Sequence, residues 1–219
     1  MFVKYDNLYS KLYKLAILWW INPPYEFLYY TMFMDKKLKK YIDQYNLIEN
    51  CRSHELMPNG GMVVLMNQET SCKVQIEDKD YILESFQAIL LNAYEVSVLI
   101  ESDEMLNLIA VIFRGAGASF FYDEEMEALM QTPKDPIFIG SSILKDELDA
   151  YFKNRLKPSK LPFNIMKIID LLDEQGSDYS IDDVLAIANV PRKTLDKMFN
   201  MRTGLTFKTY ANLTSIHVR

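Results

Sequence analysis

Between residues 58 and 113 the chain is cut into short apolar runs separated by turn-forming or polar residues. That punctuation constrains the fold more than any other feature, because an average strand needs only about 5–6 residues and an average helix about 11. Pro58-Asn59-Gly60-Gly61 is a turn, and Met62–Met66 follows it as a strand. Lys73–Ile76 alternates, Glu77-Asp78-Lys79-Asp80 makes a polar turn, and Tyr81–Leu83 resumes. Gln87–Leu91, Val96–Ile100 and Leu106–Phe113 are further strand candidates, the last almost wholly apolar. Short strands spaced by roughly ten residues predict an antiparallel barrel or sandwich.

The text after residue 120 changes period. Asp123–Met130 and Ser141–Leu156 read as helices, the second with Leu144, Leu148, Tyr151 and Phe152 on one face. Asn154–Pro162 carries two prolines and three basic residues, the composition of a connector. The division that follows is an extension at 1–33, a body at 34–155, a linker at 156–163 and a small all-α unit at 164–219. The fold class is α+β.

Leu15–Met34 is rich in aromatics, yet Asn22, Pro23, Pro24 and Glu26 interrupt it. A helix crossing the bilayer needs roughly 20 consecutive apolar residues, so neither membrane insertion nor export is expected. Two readings of this segment stand: translation beginning at Met32 or Met34, with 1–31 an extension, or an aromatic hook on the body or a second subunit. Cys51 and Cys72 are the only cysteines, which suits a reducing cytoplasm and fits no zinc spacing.

No constellation in the body predicts an enzyme. His54-Glu55 begins like a zinc-binding HExxH, but position 58 is Pro and a second ligand is missing. Arg114-Gly115-Ala116-Gly117-Ala118-Ser119-Phe120 follows an apolar strand as a dinucleotide fingerprint would, but its third glycine position is Phe120. The two glycines are read instead as a sharp turn out of the strand. Asp123-Glu124-Glu125 suits a helix N-terminus and needs no metal. Catalytic residues, metal ligands and cofactors are all expected to be absent.

The net charge is −6, with 24 basic and 30 acidic residues, but it is unevenly spread. Residues 1–180 hold 18 Lys+Arg against 27 Asp+Glu, and residues 181–219 hold 6 against 3. An acidic body with a basic tail points to different partners at the two ends.

The tail has the local signals of three helices. Asn164–Gln175 places Ile165, Ile168, Ile169 and Leu172 on one face, with Gly176 to end it. Ser180 caps a helix running to about Ala188, with Asp182 and Asp183 in its first turn. Asn189 tolerates a left-handed corner, and Pro191 suits the first turn of the next helix. That helix, Arg192–Met201, buries Leu195, Met198 and Phe199 and exposes Arg192, Lys193, Asp196, Lys197 and Asn200. A short helix, a tight corner and a second helix with basic, amide-bearing exposure is helix-turn-helix geometry.

The run YSIDDVLAIANVPRKTLDKMFNMRTGLTFKTYANL resembles the first helix-turn-helix of the AraC-type bacterial transcription regulators. Those read as an N-cap Ser, a Leu-Ala pair, a Gly-Val corner, a Ser-Pro start, Leu-x-Arg-x-Phe, a Gly and a Tyr. The matching positions are Ser180, Val184-Leu185, Asn189-Val190, Pro191-Arg192, Leu195 to Phe199, Gly204 and Tyr210. Leu185 departs from the small residue of the pattern, and Asn189 from its Gly. The body resembles the cupin-like sensor domain of some of these regulators through PNGGMVVL and IFRGAGASFF.

The resemblance implies a cytoplasmic transcription regulator whose Arg192–Met201 helix enters the major groove of duplex DNA. Arg192, Lys193, Lys197 and Asn200 would face phosphates or base edges. It also implies a homodimer and a small-molecule effector. The family joins two helix-turn-helix units by a long helix, whereas the sequence ends at Arg219 within that helix, so truncation after the first unit is expected. Leu205, Phe207, Tyr210, Leu213 and Ile216 would then lack partners. The alternative is a partner protein that does not bind DNA and modulates a full-length regulator through its sensor or dimer surface.

Overall fold

The computed structural model describes residues 34–57, 61–92, 97–122, 125–126, 128–129, 135–158 and 164–217. The aromatic N-terminal segment to residue 33, Pro58–Gly60, residues 93–96, 159–163 and 218–219, and much of the helix expected over Asp123–Met130 (123, 124, 127 and 130, with 131–134 beyond it) lie outside it.

The strands are β1 (Ile42–Glu49), β2 (Ser53–Leu56), β3 (Met62–Asn67), β4 (Cys72–Ile76), β5 (Lys79–Leu83), β6 (Gln87–Asn92), β7 (Val98–Glu101), β8 (Asn107–Phe113) and β9 (Ile137–Ser141). They form two antiparallel sheets, ordered β1-β8-β3-β6-β9 and β2-β7-β4-β5. Neither sheet closes on itself, so of barrel and sandwich the structure is the sandwich.

The near-continuous apolarity of β3 and β8 has a simple cause: the five-stranded sheet is covered on both faces. Val63, Leu65, Leu108 and Ala110 meet the four-stranded sheet, while Met62, Val64, Ile109 and Val111 meet a layer of helices. The four-stranded sheet is covered on one face only, and β4 accordingly alternates, with Cys72, Val74 and Ile76 buried between half-exposed Lys73 and Gln75.

Several expectations are corrected. The polar turn is confined to Glu77 and Asp78, because Lys79 and Asp80 already pair with Ile76 and Gln75 in β5. The helix expected over Ser141–Leu156 is only its second half, α1 (Leu148–Arg155). Ser141 belongs to β9, and Leu144 stays exposed. β1, β2 and β9 are strands that the apolar pattern did not single out.

Where a sharp turn was expected after β8, the glycine-rich segment is a six-residue 3-10 helix, Gly115–Phe120, entered through the positive φ of Gly115. Four helices follow: α2 (Ile165–Gln175), α3 (Ile181–Ala188), α4 (Arg192–Thr203) and α5 (Phe207–His217). They share one core with the outer face of the five-stranded sheet.

That shared core overturns the expectation of a C-terminal segment short of partners. Phe207 is buried, edge-on to Tyr179 at 5.6 Å and to Phe199 at 5.4 Å between ring centres. Tyr210 is buried against Phe199 and the backbone of Gly115. Leu205 and Leu213 are half-buried on the same cluster, and the side chain of Ile216 lies outside the described set.

Candidate nucleic-acid interface

α3 is fixed at both ends by its own sequence. The Ser180 hydroxyl oxygen accepts from the Asp183 N–H at 3.4 Å, satisfying one of the first-turn donors. At the other end Asn189 is left-handed (φ 50°, ψ 38°), and its N–H donates to the Leu185 carbonyl at 2.8 Å. Asn bears this conformation at low cost, and it turns the chain within two residues. Pro191 then stands one position earlier than expected, as the N-cap of α4 with extended backbone (φ −58°, ψ 147°). Its carbonyl accepts from Thr194 and Leu195 at 2.8 and 3.0 Å.

α4 runs two residues past Met201 and ends at Gly204, which is left-handed at φ 80°. Leu195, Phe199 and Thr203 form its buried line, and Met198 is half-buried. With about 100° of turn per residue, Lys193, Lys197 and Asn200 fall in one arc of about 60° on the far side from the core. All three are exposed. Exposed Arg192 lies about 100° away from Lys193, at the start of the helix above the buried line, so it is not brought onto the same arc. Asp196 is half-buried between the two zones.

The chemistry on offer is uneven. Two ammonium groups on flexible stems suit phosphate oxygens. Asn200, however, donates its Nδ2 to the Gly204 carbonyl at 3.2 Å, closing the helix C-terminus. A bidentate contact to adenine uses the amide oxygen and one Nδ2 hydrogen, and the cap, which takes one of the two hydrogens, fixes which way that amide faces.

The body grips the same helices from behind. The Arg114 guanidinium leaves the end of β8 and pairs with Asp173 at 2.6 Å and Asp170 at 3.1 Å, both on α2. Burial works against the Arg114 charge, but the Asp173 hydrogen bond and the two carboxylate charges outweigh it and hold its pKa above the ordinary value. Burial raises the Asp173 carboxyl despite Arg114. Arg202 of α4 donates to the Ser119 carbonyl at 3.4 Å. Arg114, Asp170 and Asp173 escaped the sequence reading. Their available signals were a lone arginine after a buried apolar run and two carboxylates spaced three apart on one helix face.

The other candidates in the body are structural in their surroundings. His54 is buried on β2, where burial lowers its pKa. Cys72 is buried and its thiol is pushed up to about 11 by that burial; Cys51 is half-buried and shifted the same way. Gly117 sits so close to the Tyr41 carbonyl that no side chain fits, so the glycine-rich turn is filled by the protein's own backbone. Among the described residues no group of three or more His, Cys, Asp or Glu is placed to hold a metal, and no helix is long and apolar enough to cross a membrane.

No family model and no curated protein matches the sequence. Solved structures do resemble the chain path. An apo ToxT variant from Vibrio cholerae aligns with a TM-score of 0.48 at 13% identity, covering 80% of each chain. ToxT from the O395 strain, bound to a methylnaphthalenyl butenoic acid, aligns with a TM-score of 0.45 at 15% identity over 80% of this chain and 81% of that one. ToxT is an AraC-family regulator. A cupin-2 domain protein from Shewanella frigidimarina covers 44% of this chain and 89% of its own, with a TM-score of 0.33 and 9% identity.

Proposed function

We propose that the chain is a DNA-binding transcription regulator of the AraC type. In this reading it works in the cytoplasm, α3, the Asn189 corner and α4 lie on duplex DNA, and the sandwich of residues 34–155 senses an effector and dimerises. The observation that carries the reading is the left-handed Asn189 between a capped α3 and a helix whose basic arc faces away from the core. Lys193 and Lys197 supply affinity through phosphates, and Arg192 and Asn200 are the remaining candidates at base edges.

The experiment is fluorescence anisotropy of the full chain with random-sequence duplex, titrated with salt. Each phosphate contact contributes about 0.9 to the slope of log affinity against log salt, so Lys193→Ala with Lys197→Ala is expected to reduce that slope by about 2. Asn200 engaged in its own helix cap favours a second reading, a partner protein that modulates a full-length regulator without reading DNA itself. No binding at low salt by folded protein would select it.

A further inference from the structure

The six residues Gly115–Phe120 touch three of the four C-terminal helices and the body at once. On the helical side, Gly115 has φ 43° and no room for a Cβ, because Ile169 of α2 and the Tyr210 hydroxyl of α5 close over it. Immediately before it, Arg114 spans to Asp170 and Asp173 of α2, and near the other end the Ser119 carbonyl receives Arg202 of α4. On the body side, the Arg114 N–H donates to the Tyr41 carbonyl at 2.9 Å, and the Tyr41 and Phe120 rings lie 4.6 Å apart. Arg114 and Gly115 also continue directly from β8, the strand between β1 and β3.

We propose that this turn is the joint that sets the attitude of α4 relative to the sandwich, with Arg114 as its positioning residue. Arg114 has no place on the basic arc, since it acts through α2, which packs on α3 and α5. One guanidinium nitrogen, Nη2, bridges two carboxylates one helical turn apart, so the charge ties α2 to the end of β8 at two successive turns of the helix. A neutral side chain there removes the charged tie and leaves more of the hold on α2 to apolar contacts, which are non-directional. The cost of ordering the helices then falls on the DNA-binding step.

The affinity arm of the test rests on the DNA-binding reading, and the exchange arm does not. Hydrogen exchange and duplex anisotropy are measured on the full chain carrying Arg114→Gln, Arg114→Lys or Asp173→Asn. Arg114→Gln is expected to speed amide exchange in α2–α5 by about tenfold while β3 and β8 stay as protected as before. Duplex affinity is expected to fall by about fivefold or more, with partial recovery in Arg114→Lys. Asp173→Asn, the milder change, shows the same pattern and serves if Arg114→Gln does not fold. Unchanged exchange in α2–α5 would overturn the proposal. So would an equal rise in β3 and β8, which would make Arg114 a general stabiliser, or an unchanged or increased duplex affinity alongside loosened helices. If the wild-type chain binds no duplex, the DNA-binding reading fails, and exchange alone still decides the joint.

Discussion

The molecule has two cores of different chemistry back to back on one sheet. Between the sheets the buried side chains are mostly aliphatic, such as Val63, Leu65, Val74, Ile89, Ile100 and Leu108, and among the described residues none of that buried cluster is Phe, Tyr or Trp. Between the five-stranded sheet and the helices, Tyr45, Phe113, Phe121, Tyr122, Phe152, Phe199, Phe207 and Tyr210 dominate. Two pleated surfaces meet at a nearly constant spacing, which branched aliphatics fill evenly. Helices crossing a sheet leave deeper and less regular gaps, and aromatic rings fill them edge to face. The difference teaches that the sandwich is held by many interchangeable contacts, whereas the helical layer depends on a few large ones.

The sharpest way to break that contrast is Phe152→Ala. The ring is fully buried on α1, with the centres of Tyr151, Phe121, Phe113 and Tyr45 at 5.1, 5.2, 5.8 and 6.1 Å. The expected loss is about 3–5 kcal/mol in urea unfolding, the upper range for a core truncation. Val63→Ala, in the aliphatic core, is expected to cost clearly less. Equal losses at the two positions would remove the distinction.

Acid attacks the other side. His54 lies buried against the aliphatic core on β2, and burial holds its pKa below the ordinary 6.5. Below that value the unfolded chain takes up a proton that the native state resists, so stability is complete above pH 6.5 and falls as pH is lowered toward 5. A fall in the urea midpoint between pH 7 and 5 is expected, and His54→Gln should flatten it. Asp35 and Asp135, held below the ordinary range by their partners, act at lower pH, and Asp173, whose carboxyl burial raises, works in the opposite sense to His54. A slope that persists in His54→Gln would place the acid-sensitive group elsewhere.

What the sequence revealed follows from the same contrast. β3, β4, β6 and β8 were legible because a strand facing one or two apolar layers writes that fact into alternation or continuity. β1 was not: its register shifts between Ile42 and Gln44, and Asn46 is buried among its apolar neighbours, so no clean period survives. β2 has four residues with a histidine pointing inward, and β9 pairs across a register shift with Phe138 exposed. The α3–α4 corner was the most legible part of the candidate interface, since a cap, a left-handed Asn and a proline act within a few residues. The joint was the least, because Arg114 finds Asp170 and Asp173 at separations of 56 and 59 residues.

The smallest expected effect tests how far that local legibility carries energy. Ser180→Ala removes the N-terminal side-chain cap of α3, a bond of 3.4 Å at an exposed position. A lost N-cap costs about 0.5–2 kcal/mol, and the length of this bond puts the expectation near the lower end. The helix itself survives, because Val184 and Ala188 remain anchored in the shared core and the Asn189 corner is untouched. Urea unfolding gives the size, and exchange of the Asp183 and Val184 amides gives the place. A loss as large as that of Phe152→Ala would mean that the corner is held by its own short-range devices and not by the aromatic layer beneath it. A loss below about 1 kcal/mol, confined to the first turn, means that the signals readable in sequence choose where α3 starts while distant rings decide whether it stays.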